Sequence, residues 1–149
     1  MTTPGRRIED PQEILRVARD AKRVAVLGIK TEAQRGQPAF DVARSLQDTG
    51  MEIHPVPVYY PEVTTILGQP VVRRVVDVPG PPVDIVDVFR RPNDIPQHVD
   101  DLIAAKPKVV WFQLGIRNEE AADRLVAAGI DVIQNRCLIV ERVKAGQLD

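Results

Sequence analysis

Cysteine is nearly absent from this chain. Cys137 is the only one, so no internal disulfide can form, and a reducing, cytoplasmic setting is the expectation. Long apolar runs are missing as well. None reaches the roughly 18 residues that a membrane-spanning helix requires. The opening MTTPGRRIEDPQ lacks the apolar segment of a secretory signal. Neither sign of charge dominates: the net charge is −1, which gives no general attraction for nucleic acid. The catalytic inventory is equally thin. Ser45, the sole serine, falls inside an expected helix and not in a nucleophile elbow. His54 and His98 have no Cys, His or acidic partners at metal-ligand spacing, so no metal site is expected. No pair of carboxylates is recognisably placed for acid–base work.

What the chain does have is size and pattern. Its 149 residues suit a single domain able to bury a real core, and 44% hydrophobic with 28% charged residues is ordinary for a globular protein. Asp10-Pro11 opens a helix whose apolar positions run Ile14, Leu15, Val17, Ala18 and Ala21. RVAVLG, residues 23–28, is short and β-branched and reads as a buried strand. A helix is expected over 38–49, started by Pro38 and ended by Gly50. MEIHPV, 51–56, is the next strand; Val71-Val72 suggests another short one, and 75–78 a short helix or extended piece. VDIVDVF, 83–89, and KVVWFQL, 108–114, are further strands, separated by a helix over about 93–105 with Asn93 as its cap. Asn118 caps a helix over 119–128, DVIQ at 131–134 is the last strand, and LIVERVKAG suggests a short final helix. The extreme ends, 1–8 and 145–149, are expected to be loose, with an ordered core over about 10–141.

This alternation predicts an α/β fold: a single Rossmann-like domain with a mostly parallel five- to six-stranded sheet and helices on both faces. One link is awkward, because residues 73–82 are few for a parallel crossover. In such sheets ligands sit outside the carboxyl ends of the strands, at the point where strand order reverses. The candidate cleft is therefore framed by Gly28 and its loop, Val56 with 57–62, Phe89-Arg90-Arg91-Pro92, Leu114-Gly115-Ile116, and Gln134 to Cys137.

Several of these stretches have a chemical reading and a plainer one. In the 28–38 loop, Gly28 permits close backbone approach, Lys30 and Arg35 add charge, and the helix starting near Pro38 offers its positive end to a phosphate. Taken alone, the same loop reads more simply as a connector with solvated charges. It lacks the G-x-G-x-x-G fingerprint, and the second strand has no acidic residue at its end, which disfavours NAD. Arg90 and Arg91 suit a phosphate or a solvated pair bridging to Asp87 or Asp94. Tyr59-Tyr60 suits a stacked adenine or a covered loop. Cys137 beside Arg136 suits a reactive thiol less well than a small buried hydrophobe.

Taken together, KRVAVLG with its long loop to PAFDVARSLQDTG, then MEIHPV, ILGQPV, PVDIVDVFRRP, VVWFQLGI and NRCLIVE carry a resemblance. Over roughly 10–141 the chain resembles the small stand-alone CoA-binding domain proteins, related in fold to the N-terminal domain of the succinyl-CoA synthetase α subunit. The resemblance implies CoA or acyl-CoA lying across the strand ends. Gly28, Ile29, Lys30, Arg35 and Pro38 would hold the pyrophosphate. Val56, Pro57 and Tyr59 would flank the adenosine. Phe89, Arg90 and Arg91 would wall the middle, and Gly115 and Ile116 would line the pantetheine side. Many members carry Asn-Pro and a basic residue after the second strand; here the text is Val56-Pro57-Val58-Tyr59-Tyr60, so the tyrosines would have to stack in their place.

The reading is a cytoplasmic CoA or acyl-CoA binding module and not an enzyme by itself, with a homo-oligomer or a protein partner compatible with it. Its rivals are a nucleotide-dependent oxidoreductase or ligase fragment, and an interaction domain whose cleft has lost its ligand.

Overall fold

The structure is a computed structural model that describes residues 3–146. Five strands form one parallel sheet: β1 (Arg23–Leu27), β2 (Glu52–Val56), β5 (Ile85–Val88), β6 (Val109–Phe112) and β7 (Asp131–Ile133), in the order β2-β1-β5-β6-β7. A separate two-residue hairpin, β3 (Thr65–Ile66) with β4 (Gln69–Pro70), lies outside it. The helices are α1 (Pro11–Asp20), α2 (Pro38–Asp48), α3 (Val99–Ala105), α4 (Glu119–Ala127) and α5 (Leu138–Ala145). None is long and apolar enough to cross a membrane.

The central strands β5 and β6 and nearly all of β1 are buried on both faces, which is why they are almost wholly apolar instead of alternating. Val24, Val26, Ile85, Val109, Trp111 and Ile133 form one core with Ile14 and Ala18 of α1, Phe40 and Leu46 of α2 and Leu138 of α5. Ala25, Leu27, Val86, Val88, Val110, Phe112 and Val132 form the other with Val99 and Leu102 of α3 and Ala121 and Leu125 of α4. Asp87 interrupts this pattern. Its carboxylate is fully buried on β5, both oxygens lack a hydrogen-bond partner, and burial pushes its pKa well above the ordinary range.

Helix starts follow local chemistry. Asp10 accepts from the Glu13 amide and Asn118 from the Ala121 amide, each satisfying an amide that a helix leaves open at its first turn.

Four expectations change. Val71-Val72 is not a strand; the pairing falls on Gln69–Pro70, and it forms a hairpin instead of joining the sheet. That removes the awkward crossover, because the connection from β2 to β5 then runs the whole way from residue 57 to 84. The expected helix over 93–105 is shorter. Pro92 and Pro96 each open a separate 3₁₀ turn, and α3 begins only at Val99, with His98 and not Asn93 at its cap position. A proline has no N–H to continue a helical ladder, so two prolines four residues apart divide the segment. Residues 5–8 are not loose either. The Gly5 amide donates to the Val126 carbonyl, Ile8 and Arg6 pair with Val132, and Ile8 is buried. This piece extends the sheet beyond β7. Ala145, expected to be loose, is instead the buried last residue of α5, and the expected looseness of residues 1, 2 and 147–149 falls outside the described residues.

Candidate functional site

Strand order reverses between β1 and β5, and a cleft of about 510 Å³ opens at the carboxyl ends of these two strands. Three segments build it. The first is the loop from β1 into α2. The second is the turn after β2 that carries Tyr59 and Tyr60. The third is Phe89 to Asp94 after β5, and Ile116 closes the far side.

Gly28 sits where β1 ends, with φ +87°. A Cβ at this position would lie 2.3 Å from the Phe89 carbonyl oxygen. The glycine is thus required by the approach of the β5 end to the β1 end, independently of any ligand. Beyond it the loop is well tied. Thr31 and Gln34 form a capping box around one 3₁₀ turn, the Lys30 amide donates to the Ala39 carbonyl, and Lys30 Nζ donates to Gln37 Oε1. The amino end of α2 then opens into the cleft with no side chain capping it, so an anion there meets the positive end of an eleven-residue helix.

Arg90 forms the inner wall. It is 9% exposed, its Nε–H donates to His98 Nε2 at 3.1 Å, and its guanidinium lies 5.7 Å from the centre of the Tyr59 ring. Asp94 Oδ2 stands 4.0 Å from Arg90 Nη2. Burial first, and then the adjacent Arg90 charge, depress the His98 pKa, which suits its role as an acceptor toward a permanent cation.

Tyr59 is 63% exposed and presents its ring to the cleft, with Tyr60 edge-on at 6.3 Å. The turn that carries them is pinned from behind. Arg73 donates from Nη1 to the Tyr59 carbonyl and from Nη2 to those of Tyr60 and Val63. Tyr60, at φ +67°, is held in a left-handed conformation within this brace. Across the cleft, the Asn118 side chain caps α4 and also donates from Nδ2 to the Pro92 carbonyl at 2.8 Å, tying the Arg91-Pro92 turn to α4.

Of the residues named from the sequence, Gly28, Lys30, Pro38, Tyr59, Phe89, Arg90, Arg91 and Ile116 line this cleft. Ile29, Val56 and Pro57 are buried, and Ile29 and Val56 belong to the two cores. Arg35 and Gly115 are exposed outside the cleft, and the Gly115 amide is occupied by Asn135 Oδ1. Gln37, Ala39 and Asp94 line it without having been singled out as ligand contacts. A smaller depression of about 210 Å³ beside β7 is lined by Arg7, Arg117 and Arg136. Each of these is already paired, the first two with Glu119 and the third with Glu141.

The sequence pattern of the CoA-binding domain family matches residues 22–142, which include every segment of the cleft. The chain belongs to that family. As a CoA-binding domain protein it is 34% identical over 128 residues to the uncharacterised protein YneT of Bacillus subtilis (strain 168), covering 86% of this chain and 90% of that one. A solved structure from Thermus thermophilus is 35% identical, with a TM-score of 0.81, and the match spans 92% of this chain and 99% of the other. The dinucleotide-forming acetyl-coenzyme A synthetase 1 of Ca. Korarchaeum cryptofilum, 19% identical with a TM-score of 0.62, shares the fold over 79% of this chain and 26% of its own. Both solved structures share the Rossmann-like architecture, and the CoA-binding domain assignment rests on the sequence pattern.

Proposed function

We propose that this domain binds CoA or an acyl-CoA across the carboxyl ends of β1, β2 and β5, as a binding module and not as an enzyme by itself. The observation that carries the reading is the pairing of an uncapped α2 amino end with the Arg90–Tyr59 wall, in the one place where the topology opens the sheet. A diphosphate suits the first element, and an adenine suits the second, where it would stack on the Tyr59 ring with Arg90 adjoining. The pantetheine arm would leave past Phe89 toward Ile116, the apolar side of the cleft. The side chains facing the cleft fit binding better than chemistry: three cations, two tyrosines and Asp94 are its ionisable groups. The end of β2, Val56-Pro57, is buried and carries no carboxylate for a dinucleotide ribose, which argues against the oxidoreductase reading. The single cysteine supports a cytoplasmic setting.

Mass spectrometry of small molecules released by denaturing the purified protein tests this. CoA or an acyl-CoA is the expected species. A nicotinamide dinucleotide in its place would overturn the proposal.

A further inference from the structure

The charges lining the cleft have a definite balance. Lys30, Arg90 and Arg91 supply three positive charges and Asp94 one negative, leaving two in excess. A diphosphate diester carries two negative charges, so the balance is met by that group alone. A phosphate monoester adds about −1.5 to −2 more at neutral pH. Nothing in the cleft is left to match it.

The ring end gives the same answer by a separate route. A purine stacked on Tyr59 places its ribose beside the turn formed by residues 57–64, PVYYPEVT. That turn contains no lysine or arginine, and its one charged side chain is the exposed Glu62. The arginine that does reach the turn is Arg73. Its terminal nitrogens are committed to the backbone carbonyls of Tyr59, Tyr60, Pro61 and Val63. Releasing them would free the turn that holds the stacking ring. A phosphate on the ribose therefore finds no donor on this turn, with Arg90 and Arg91 already matched by the diphosphate, and stays in water.

We infer that the site reads the adenine and diphosphate of its ligand and does not read a 3′-phosphate, so that CoA and 3′-dephospho-CoA bind equally well. The inference rests on the CoA reading above. Isothermal titration of the full chain with each compound, at low and at moderate salt, tests it. The two dissociation constants are expected to agree within about threefold and to weaken in parallel as salt rises. A preference for CoA of about tenfold or more, or a steeper salt dependence for CoA than for its dephospho form, would overturn the inference while the CoA reading stands. Failure of both compounds to bind would remove the two together.

Discussion

Arg90 donates its Nε–H to His98 Nε2 at 3.1 Å, so a cation at the wall of the cleft is aimed by a neutral histidine on the 3₁₀ turn behind it. This contact depends on pH. The folded His98 pKa lies below the ordinary 6.5, through burial and then the Arg90 charge, with Asp94 and Asp101 opposing. The stability it contributes is fully present above about pH 6.5 and is lost as pH falls through the depressed value. Thermal melts from pH 7.5 down to 5 should show this loss, and His98→Gln should flatten it. His98→Leu should cost about 1–3 kcal/mol at neutral pH, because Arg90 Nε–H is left buried without an acceptor.

Gly28 and Gly36 separate packing from backbone conformation. Both have positive φ, but a Cβ on Gly28 meets the Phe89 carbonyl, whereas one on Gly36 meets open space. Gly36→Ala should cost about 1–2 kcal/mol from backbone conformation alone. Gly28→Ala should cost about 1–3 kcal/mol more through overpacking. Urea denaturation of the two variants gives the comparison, and equal losses would contradict the packing role of Gly28.

Tyr59 is exposed, so Tyr59→Ala should leave stability within about 0.5 kcal/mol of the parent. Its effect belongs to binding: loss of a stacked base should weaken CoA by about 1–3 kcal/mol, on the order of tenfold or more. Arg73→Ala should weaken CoA in the same direction without removing any group that lines the cleft, because it frees the carbonyls that hold the turn. Calorimetry paired with melting curves distinguishes the two effects.

Asp87 titrates in the opposite sense to His98. Its folded pKa is raised by burial, so the protein loses stability as pH rises from the ordinary carboxyl value of 3.8 toward the folded one. The penalty is about 1.4 kcal/mol for each unit of displacement. Asp87→Asn should remove this slope and melt higher than the parent at pH 8. A variant that melts lower at pH 8 would show that the ionised carboxylate has a partner in solution.

The sheet was legible in the sequence because burial on both faces writes itself as short, wholly apolar runs, as in VAVL and VVWF. The capped helices were legible too, since Asp10 and Asn118 act on amides only three residues away. Misplaced elements had non-local or proline causes. Val71 and Val72 look like a strand, yet hairpin pairing selects Gln69–Pro70, and Pro92 with Pro96 break what periodicity joins. The ordering of residues 5–8 comes from β7, more than a hundred residues away in sequence. In the cleft, strand-end loops such as Phe89-Arg90-Arg91 followed from topology. What holds them did not: Arg73 behind the tyrosines and His98 behind Arg90 are side-chain contacts that no spacing announces.

The central claim is that CoA occupies the cleft between the β1 and β5 ends, and a two-dimensional amide NMR titration with CoA tests it most directly. The predicted result is a set of saturable shifts confined to the amides of the 28–39 loop, Tyr59 and Tyr60, and the segment from Phe89 to Asp94. Shifts centred instead on Arg7, Arg117 and Arg136 beside β7, or an unchanged spectrum at millimolar CoA, would contradict it.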